Sequence, residues 1–186
     1  ARAHGDSEGT KIGMGWPERV DIIKWINRIL LWEPNARIVL HGVSMGAATV
    51  LMASGEDLPG NVKAVIADCG YTSEWDEFQR EADTLHIPWF PVLNATSVLS
   101  KIRDGYDFKQ ASALAQVKKS RIPTLFIHGS SDELVPYSML GELYAAAACE
   151  KEELTVEGAG HALSSSVAPT LYWRTVEDFI AKYLDR

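Results

Sequence analysis

The sequence predicts an α/β fold, a doubly wound and mostly parallel sheet with helices on both faces. Four short runs of apolar and β-branched residues alternate with longer stretches of helical periodicity, which is the rhythm of parallel strands joined by crossover helices. Each run is bounded by turn residues and is too short for a helix, as expected for buried strands. The predicted strands are residues 37–41, 62–67, 123–128 and 153–156.

The predicted helices lie between and around these strands. The first covers residues 17–32, because Pro17 suits a first helical turn and apolar residues follow at three-to-four spacing. A second run, residues 47–53, directly follows the first strand, and another helix ends the chain. The apolar positions are Val20, Ile23, Ile26 and Leu30 in the first helix and Tyr172, Val176, Phe179, Ile180 and Tyr183 in the last.

The length fits a single domain. A chain of 186 residues lies within the roughly 100 to 200 residues of one compact domain, and we expect residues 1–186 to form one. The strand pattern stops between residues 74 and 121. This range is therefore predicted to be a cap-like or lid-like insertion over one end of the sheet.

Composition excludes several classes of function. The net charge is -7 and no basic run is present, so nucleic acid is not an expected partner. No stretch reaches the roughly 18 consecutive apolar residues that span a bilayer, so we expect no membrane segment in this chain. Cys69 and Cys149 form no CxxC pair and the five histidines show no ligand spacing, so we expect no metal site.

A candidate nucleophile lies in Gly42-Val43-Ser44-Met45-Gly46, between the first strand and the second helix. A GxSxG motif in that context is typical of a sharp turn that exposes the serine hydroxyl. Gly42 and Gly46 are predicted to permit the turn and a close approach of helix and strand. The backbone N–H of Met45, at the positive end of the helix, is predicted to stabilise an oxyanion.

A serine hydroxyl needs a base, and candidates follow later in the chain. Asp132 comes just after the strand at 123–128, and His161 just after the strand at 153–156. The carboxyl ends of parallel strands meet at one edge of a sheet, so Ser44, Asp132 and His161 are predicted to form a catalytic triad. Their order along the chain is the one described for α/β-hydrolases.

These motifs carry a resemblance to a known family. The segments Gly42–Gly46, Asp132–Pro136 and Gly158–His161 and the opening Arg2–Gly9 together resemble the α/β-hydrolase superfamily, most closely bacterial serine esterases grouped with serine aminopeptidase-like hydrolases. The resemblance implies an ester or amide hydrolase that works through an acyl-enzyme, without a cofactor, and the expected partner is a small-molecule ester substrate. We expect esters of small or medium acyl groups. A peptidase or amidase, an acyltransferase, and a non-catalytic ligand-binding or partner-binding member of the fold stay open as alternatives.

The sequence also departs from that superfamily. Members have further strands before the loop at residues 2–9, including one whose following turn supplies the second oxyanion N–H. We therefore expect this chain to be the C-terminal portion of the fold, with an upstream segment or a second chain supplying the missing strands. The expected compartment is the cytoplasm, and a longer precursor with a membrane anchor is the alternative.

Other residues compete for roles in the site. Asp68 follows the strand at 62–67, where some hydrolases of this fold place the triad acid, although its surroundings favour a wall and turn of the pocket. His41 and His128 also end strands and are alternative candidates for the base, but we expect them to hold loop backbone by hydrogen bonds. Further aromatic residues belong to the predicted insertion and are candidates for an acyl pocket or for the insertion's own small core. They are Trp89, Phe90 and Tyr106.

Overall fold

The structure is a computed structural model that describes residues 1–184 of the chain. Four strands and eight helices follow one another within these residues. In chain order they are α1 (Trp16–Trp32), β1 (Ile38–Val43), α2 (Met45–Ser54), β2 (Val62–Asp68), α3 (Glu74–Thr84), α4 (Trp89–Asp104), α5 (Ala113–Val117), β3 (Thr124–Gly129), α6 (Ser138–Ala146), β4 (Lys151–Val156), α7 (Ser164–Val167) and α8 (Pro169–Tyr183). Every predicted strand is present, and each of its ends lies within two residues of the prediction.

The four strands form one parallel sheet in the order β1-β2-β3-β4. Their last residues are in register, since Val43 pairs with Asp68 and Gly129 pairs with Val156. The loops that follow β1, β2, β3 and β4 therefore leave the sheet at the same edge. The predicted α/β fold class is confirmed, and this edge is where a site built from strand ends has to lie.

Helices cover both faces of the sheet. Helices α1, α2, α5 and α6 contribute to one apolar core, with Leu51 and Phe126 fully buried. Helix α8 covers the other face, where Phe179 packs into a core with Ile66. Strand β3 is buried along its whole length because it has a helix layer on each side.

The first helix differs from its predicted face. Ile26 is buried and Leu30 packs against the core as expected, but Val20 is exposed, and Ile22 and Ile29 also pack against the core. The buried face also includes Glu18, whose carboxylate accepts hydrogen bonds from the N–H groups of Gly13 and Gly15. A polar N-terminal anchor therefore sets the rotation of α1, which apolar spacing alone does not reveal.

The predicted insertion, residues 74–121, contains three helices. Helices α3 and α4 contact each other, and α4 exposes apolar side chains such as Leu99 and Ile102 to solvent. Helix α5 instead packs against α2 and places Ala113 and Val117 in the main core. The outer layer is thus formed by α3 and α4, whereas α5 is continuous with the body of the fold.

Strand β1 forms one edge of the sheet. Within residues 1–184 it pairs only with β2. Large apolar side chains are exposed on α1, on β1 and on α8, namely Trp25, Leu31, Trp32, Val43, Leu171 and Trp173. None of the helices in the described range has the length and apolar character needed to cross a membrane.

Candidate active site

The turn between β1 and α2 holds Ser44 in a strained conformation. Its φ is 55° and its ψ is -120°, a left-handed backbone that non-glycine residues seldom adopt. Two backbone bonds fix the turn, because the Ser44 N–H donates to the carbonyl of Asp68 and the Ser44 carbonyl accepts from Ala48. The strain presents the hydroxyl at the C-terminal edge of the sheet.

The two glycines of the turn play different parts. A Cβ at Gly42 would lie 2.2 Å from the carbonyl oxygen of Gly46 and 2.6 Å from the backbone nitrogen of Ala47. Only glycine therefore fits at position 42 while α2 keeps its place. A Cβ at Gly46 would meet no atom of the described structure within 4 Å. A side chain at position 46 would therefore fit, and close packing does not require glycine there. The contribution of this residue is its backbone carbonyl, which lies against Gly42.

The three predicted triad residues lie within hydrogen-bond distance of one another. Ser44 Oγ is 2.7 Å from His161 Nε2, and His161 Nδ1 is 2.9 Å from Asp132 Oδ2. Because an ionised carboxylate only accepts, Nδ1 carries the proton and Nε2 is free to accept from the serine hydroxyl. The Asp132 side chain is fully buried, whereas that of His161 is 20% exposed. This arrangement can remove a proton from Ser44.

The loop after β3 holds Asp132 rigidly. Its Oδ1 accepts hydrogen bonds from the backbone N–H groups of Leu134 and Val135, at 3.0 and 2.9 Å. His128 Nε2 lies 3.0 Å from the carbonyl of Val135 and 3.3 Å from Asp132 Oδ2. The expectation that His128 holds loop backbone is confirmed. These bonds leave Oδ2 directed at His161 and stabilise the carboxylate charge.

Asp68 occupies a different position from that of a triad acid. Its buried carboxylate accepts from the hydroxyl of Ser164, whereas the His161 ring is bonded to Asp132. Burial raises the pKa of Asp68, and the nearby hydroxyls of Ser164 and Tyr172 oppose that rise. His41 bonds to the Tyr172 hydroxyl at 3.0 Å, so the expectation that it holds loop backbone is wrong.

The start of α2 presents backbone N–H groups directly after Ser44. Met45 is the first residue of this helix, and first-turn N–H groups have no partner within their own helix. They also lie at the positive end of the helix dipole. A cavity of about 930 Å³ opens beside Met45 and Gly46, between residues 7–11, α1 and the edge strand β1.

One group of residues in the described range has the donor atoms of a metal site. Atoms of Cys69, Asp132 and His161 lie within 4.8 Å of one another. The ring of His161 and the carboxylate of Asp132 already bond to each other. Burial raises the pKa of the Cys69 thiol to about 12, which disfavours the thiolate that a metal ion requires. The hydrogen-bonded triad accounts for these groups better than a metal site does.

The three predicted pocket aromatics have different surroundings. Tyr106 is buried in the main core, close to Glu74. Burial raises the pKa of Glu74 to about 8. Trp89 is half-buried and its ring meets the edge of Phe90, which is 67% exposed. Tyr106 therefore belongs to the junction between α3 and the core.

Sequence reasoning missed a link between α3 and the acid loop. Arg80 donates to the carbonyl of Glu133, next to Asp132, and also to the Glu77 carboxylate, each at 3.3 Å. Burial raises the pKa of Glu77, whereas the bond to Arg80 and the nearby His161 favour its charged form. A Glu-x-x-Arg spacing indicates one helix face. Nothing in that spacing identifies residue 133 as the partner.

Comparison with known proteins identifies the family. The model of the prolyl oligopeptidase family matches residues 18–186, which is almost the whole chain. The chain belongs to this family. The family and its fold lie within the α/β-hydrolase superfamily, so the resemblance drawn from the motifs is confirmed.

Individual relatives of this chain are longer than the chain itself. It is 32% identical to the uncharacterized protein YqkD of Bacillus subtilis over 184 residues, covering 96% of this chain and 59% of YqkD. The chain thus spans about three-fifths of that relative. The fold is similar to the Pyrococcus furiosus esterase Pf2001, with a TM-score of 0.75 and 21% identity over 98% of this chain and 68% of the esterase. It is also similar to the Pyrococcus horikoshii acylaminoacyl peptidase, with a TM-score of 0.69 and 18% identity over 93% of this chain and 29% of the peptidase.

Proposed function

We propose that this chain carries the catalytic machinery of a serine hydrolase that cleaves carboxylic esters through an acyl-enzyme. The observation that carries the proposal is the continuous hydrogen-bond path from Ser44 through His161 to the buried Asp132. Ser44 is also the residue held in the strained turn at the start of a helix. Family membership supports a hydrolase, and the proposal adds which residues act.

The geometry assigns each proton in the first half of the reaction. His161 Nε2 takes the proton of Ser44 as the oxygen attacks the acyl carbon, and the carboxylate of Asp132 stabilises the imidazolium that forms. The N–H of Met45 donates to the oxyanion. His161 then passes the proton to the leaving alcohol. The ester C–O bond breaks and the acyl group stays on Ser44.

Water completes the cycle by the same path. His161 removes a proton from a water molecule, which attacks the acyl-enzyme, and the proton returns to Ser44 as the carboxylic acid leaves. Every group in this cycle is a side chain or backbone amide of the chain itself. The proposed cycle therefore uses no cofactor.

The substrate proposal is an ester with a small or medium acyl group. Helices α3 and α4 form the outer layer beside the site, and Arg80 of α3 contacts the loop that holds Asp132. We propose that residues 74–121 include this cap, and that it limits the size of the acyl group. Exposed aromatic surface at Phe90 is available to an apolar group of the substrate.

A peptidase on the same triad is the second candidate. The family match and the likeness to an acylaminoacyl peptidase favour it. Peptide and ester hydrolysis use the same nucleophile and base, so the structure of the triad supports both. Turnover of a matched ester and anilide of the same acyl group in the intact protein separates them, because an esterase hydrolyses the anilide far more slowly.

A reactive-serine probe tests the proposal directly. We expect a fluorophosphonate to add once to the intact protein and to leave the Ser44→Ala variant unlabelled, as measured by intact mass. Ser131→Ala, at an exposed serine beside the acid loop, is the matched control and should be labelled like the parent. A folded parent protein that forms no adduct would favour a non-catalytic, ligand-binding member of the fold.

We also propose that a further segment or a second chain pairs with β1. The open strand edge and the exposed tryptophans of α1 and α8 support this proposal, because unpaired edges and apolar patches are usually covered. Amide exchange in the intact protein tests it. The β1 amides that do not bond to β2 should be protected, and free exchange at those amides would contradict the proposal.

A further inference from the structure

The loop that carries His161 lies between β4 and α7, and the Ser130 hydroxyl holds its start by accepting from the N–H of Gly158 at 2.9 Å and donating to the Glu157 carboxylate at 3.0 Å. Glycines stand at positions 158 and 160, and Gly158 has a φ of 72°. The loop is held at its start by the Ala159 carbonyl, which accepts from the N–H of Ser131 at 3.0 Å. At its far end stands Ser164, the first residue of α7, which is fully buried.

The hydroxyl of Ser164 is bonded to the end of another strand. Ser164 Oγ donates to Asp68 Oδ1 at 3.1 Å, across 96 residues of sequence. Asp68 is the last residue of β2 and is buried. A hydrogen bond to a buried carboxylate is among the stronger ones in proteins. This bond is therefore a substantial anchor for the end of the histidine loop.

Asp68 contacts the nucleophile turn as well. Its backbone carbonyl accepts from the N–H of Ser44 at 2.8 Å. One residue thus holds the nucleophile turn by its main chain and the histidine loop by its side chain. The 2.7 Å contact between Ser44 Oγ and His161 Nε2 joins these two segments, the nucleophile turn and the histidine loop.

Tyr172 of α8 lies close to the Asp68 carboxylate, and its hydroxyl is 3.0 Å from His41 Nε2. The side-chain hydrogen bond that Asp68 makes in the described residues is the one from Ser164 Oγ to its Oδ1. This bond links the end of β2 directly to the first residue of α7.

We infer that Asp68 is a positioning residue for the reaction and that it acts through Ser164. The inference rests on the proposed triad and adds a determinant of its geometry. Asp68 fixes the histidine loop relative to the nucleophile turn, so that the imidazole stays within hydrogen-bond distance of Ser44. It is not a second acid of the triad, because its side chain bonds to Ser164 whereas the His161 ring bonds to Asp132.

Removing the Ser164 hydroxyl tests the inference with the smallest change. In the intact protein, Ser164→Ala should lower kcat for p-nitrophenyl acetate about 10-fold to 100-fold, since a displacement of about 1 Å costs this much. KM should stay within about twofold, because the anchor does not touch substrate. Ser166→Ala, the same change at an exposed position of α7, should leave both constants unchanged. Equal kcat values for the two variants would overturn the inference.

Coupling between the two residues is the second measurement. If Asp68 acts through Ser164, the double variant Asp68→Ala/Ser164→Ala loses no more kcat than Asp68→Ala alone. Asp68→Asn should lose less than Asp68→Ala, because the amide oxygen can still accept from Ser164. Losses that multiply in the double variant would show two independent effects and contradict the inference.

Hydrogen exchange separates this inference from the proposed function. Peptides covering residues 157–168 should exchange faster in Ser164→Ala than in Ser166→Ala, while peptides from β2 and β3 are unchanged. This readout does not depend on turnover. If the parent protein had no esterase activity and Ser164→Ala still exchanged faster, the proposed function would be wrong and the anchoring role of the Ser164–Asp68 bond would be supported. Unchanged exchange in Ser164→Ala would refute that anchoring role, whatever the activity.

Discussion

The sharpest steric prediction concerns Gly42. In Gly42→Ala the new Cβ would lie 2.2 Å from the Gly46 carbonyl oxygen, about 1.2 Å closer than an ordinary contact, and all three of its near neighbours are backbone atoms. Overpacking of this kind costs about 1–3 kcal/mol. We expect the upper end of that range, because a helix start must move rather than a side chain.

The same displacement should damage the site. The atoms that must move belong to the first turn of α2, directly after Ser44. A shift of about 1 Å there breaks the 2.7 Å contact with His161 and should slow the reaction about 100-fold. The backbone φ at Gly42 is one that alanine adopts freely. The loss of stability and activity in Gly42→Ala would therefore come from the steric clash and not from backbone strain.

Two assays on the intact protein measure the two consequences. Urea unfolding gives the loss of unfolding free energy, and the rate of fluorophosphonate labelling reports the reactivity of Ser44. Gly141→Ala is the matched control, because Gly141 lies in α6, is exposed and would place its Cβ in open space. That variant should gain about 0.5–1 kcal/mol of stability. If Gly42→Ala matched the parent protein in both stability and labelling rate, the steric argument for the turn would be wrong.

Three further predictions follow from the structure. Asp132→Asn should lower kcat by about 10³-fold to 10⁴-fold with an unchanged unfolding midpoint, whereas Glu133→Gln, at the exposed neighbour, should retain activity in the same ester assay. The pKa of Glu74 is raised from 4.5 to about 8 by burial, so its contribution to stability is complete below pH 4.5 and is lost as pH rises through 8. Glu74→Gln should therefore be more stable than the parent at pH 9 and lose this advantage at pH 5; equal pH dependence in urea unfolding would contradict the burial of this carboxyl. Phe179→Ala should destabilise the protein by about 3–5 kcal/mol in the same unfolding assay, because it empties the core under α8.

The strands, and the grouping of Ser44, Asp132 and His161 at one edge of the sheet, could be predicted from local signals combined with the order of the elements. A short β-branched run between turn residues indicates a buried strand whatever its neighbours are. The Ser44 turn is similar, since the strand, the glycine and the helix that produce its strain are adjacent in sequence. Parallel topology then determines that Asp132 and His161 come to the same edge. Each of these steps needs only the order of elements along the chain.

The features that could not be predicted depend on contacts between distant residues. The bond from Ser164 to Asp68 joins positions 96 residues apart, and no spacing pattern identifies the pair. Tyr106 was a pocket candidate as an aromatic in a cap, and only the fold shows that it lies in the core beside Glu74. The side of α1 that is buried includes Glu18, whose carboxylate accepts hydrogen bonds from the N–H groups of Gly13 and Gly15. The spacing of apolar residues does not reveal this polar contact.

The acid and the base of the proposed triad lie away from the β1 edge of the sheet, whereas the nucleophile directly follows β1. The loops after β1, β3 and β4 carry Ser44, Asp132 and His161 in turn, and the end of β2 lies between the first of these and the other two. The hydrogen bonds that hold Asp132 and His161 in place come from β2, β3 and α7, on the side of the sheet away from β1. The start of α2 with Met45 faces the cavity along β1 instead. If the proposed function holds, a segment that pairs with β1 should affect stabilisation of the oxyanion and the shape of the substrate site, while the proposed proton transfer between Ser44 and His161 depends on contacts made within this chain.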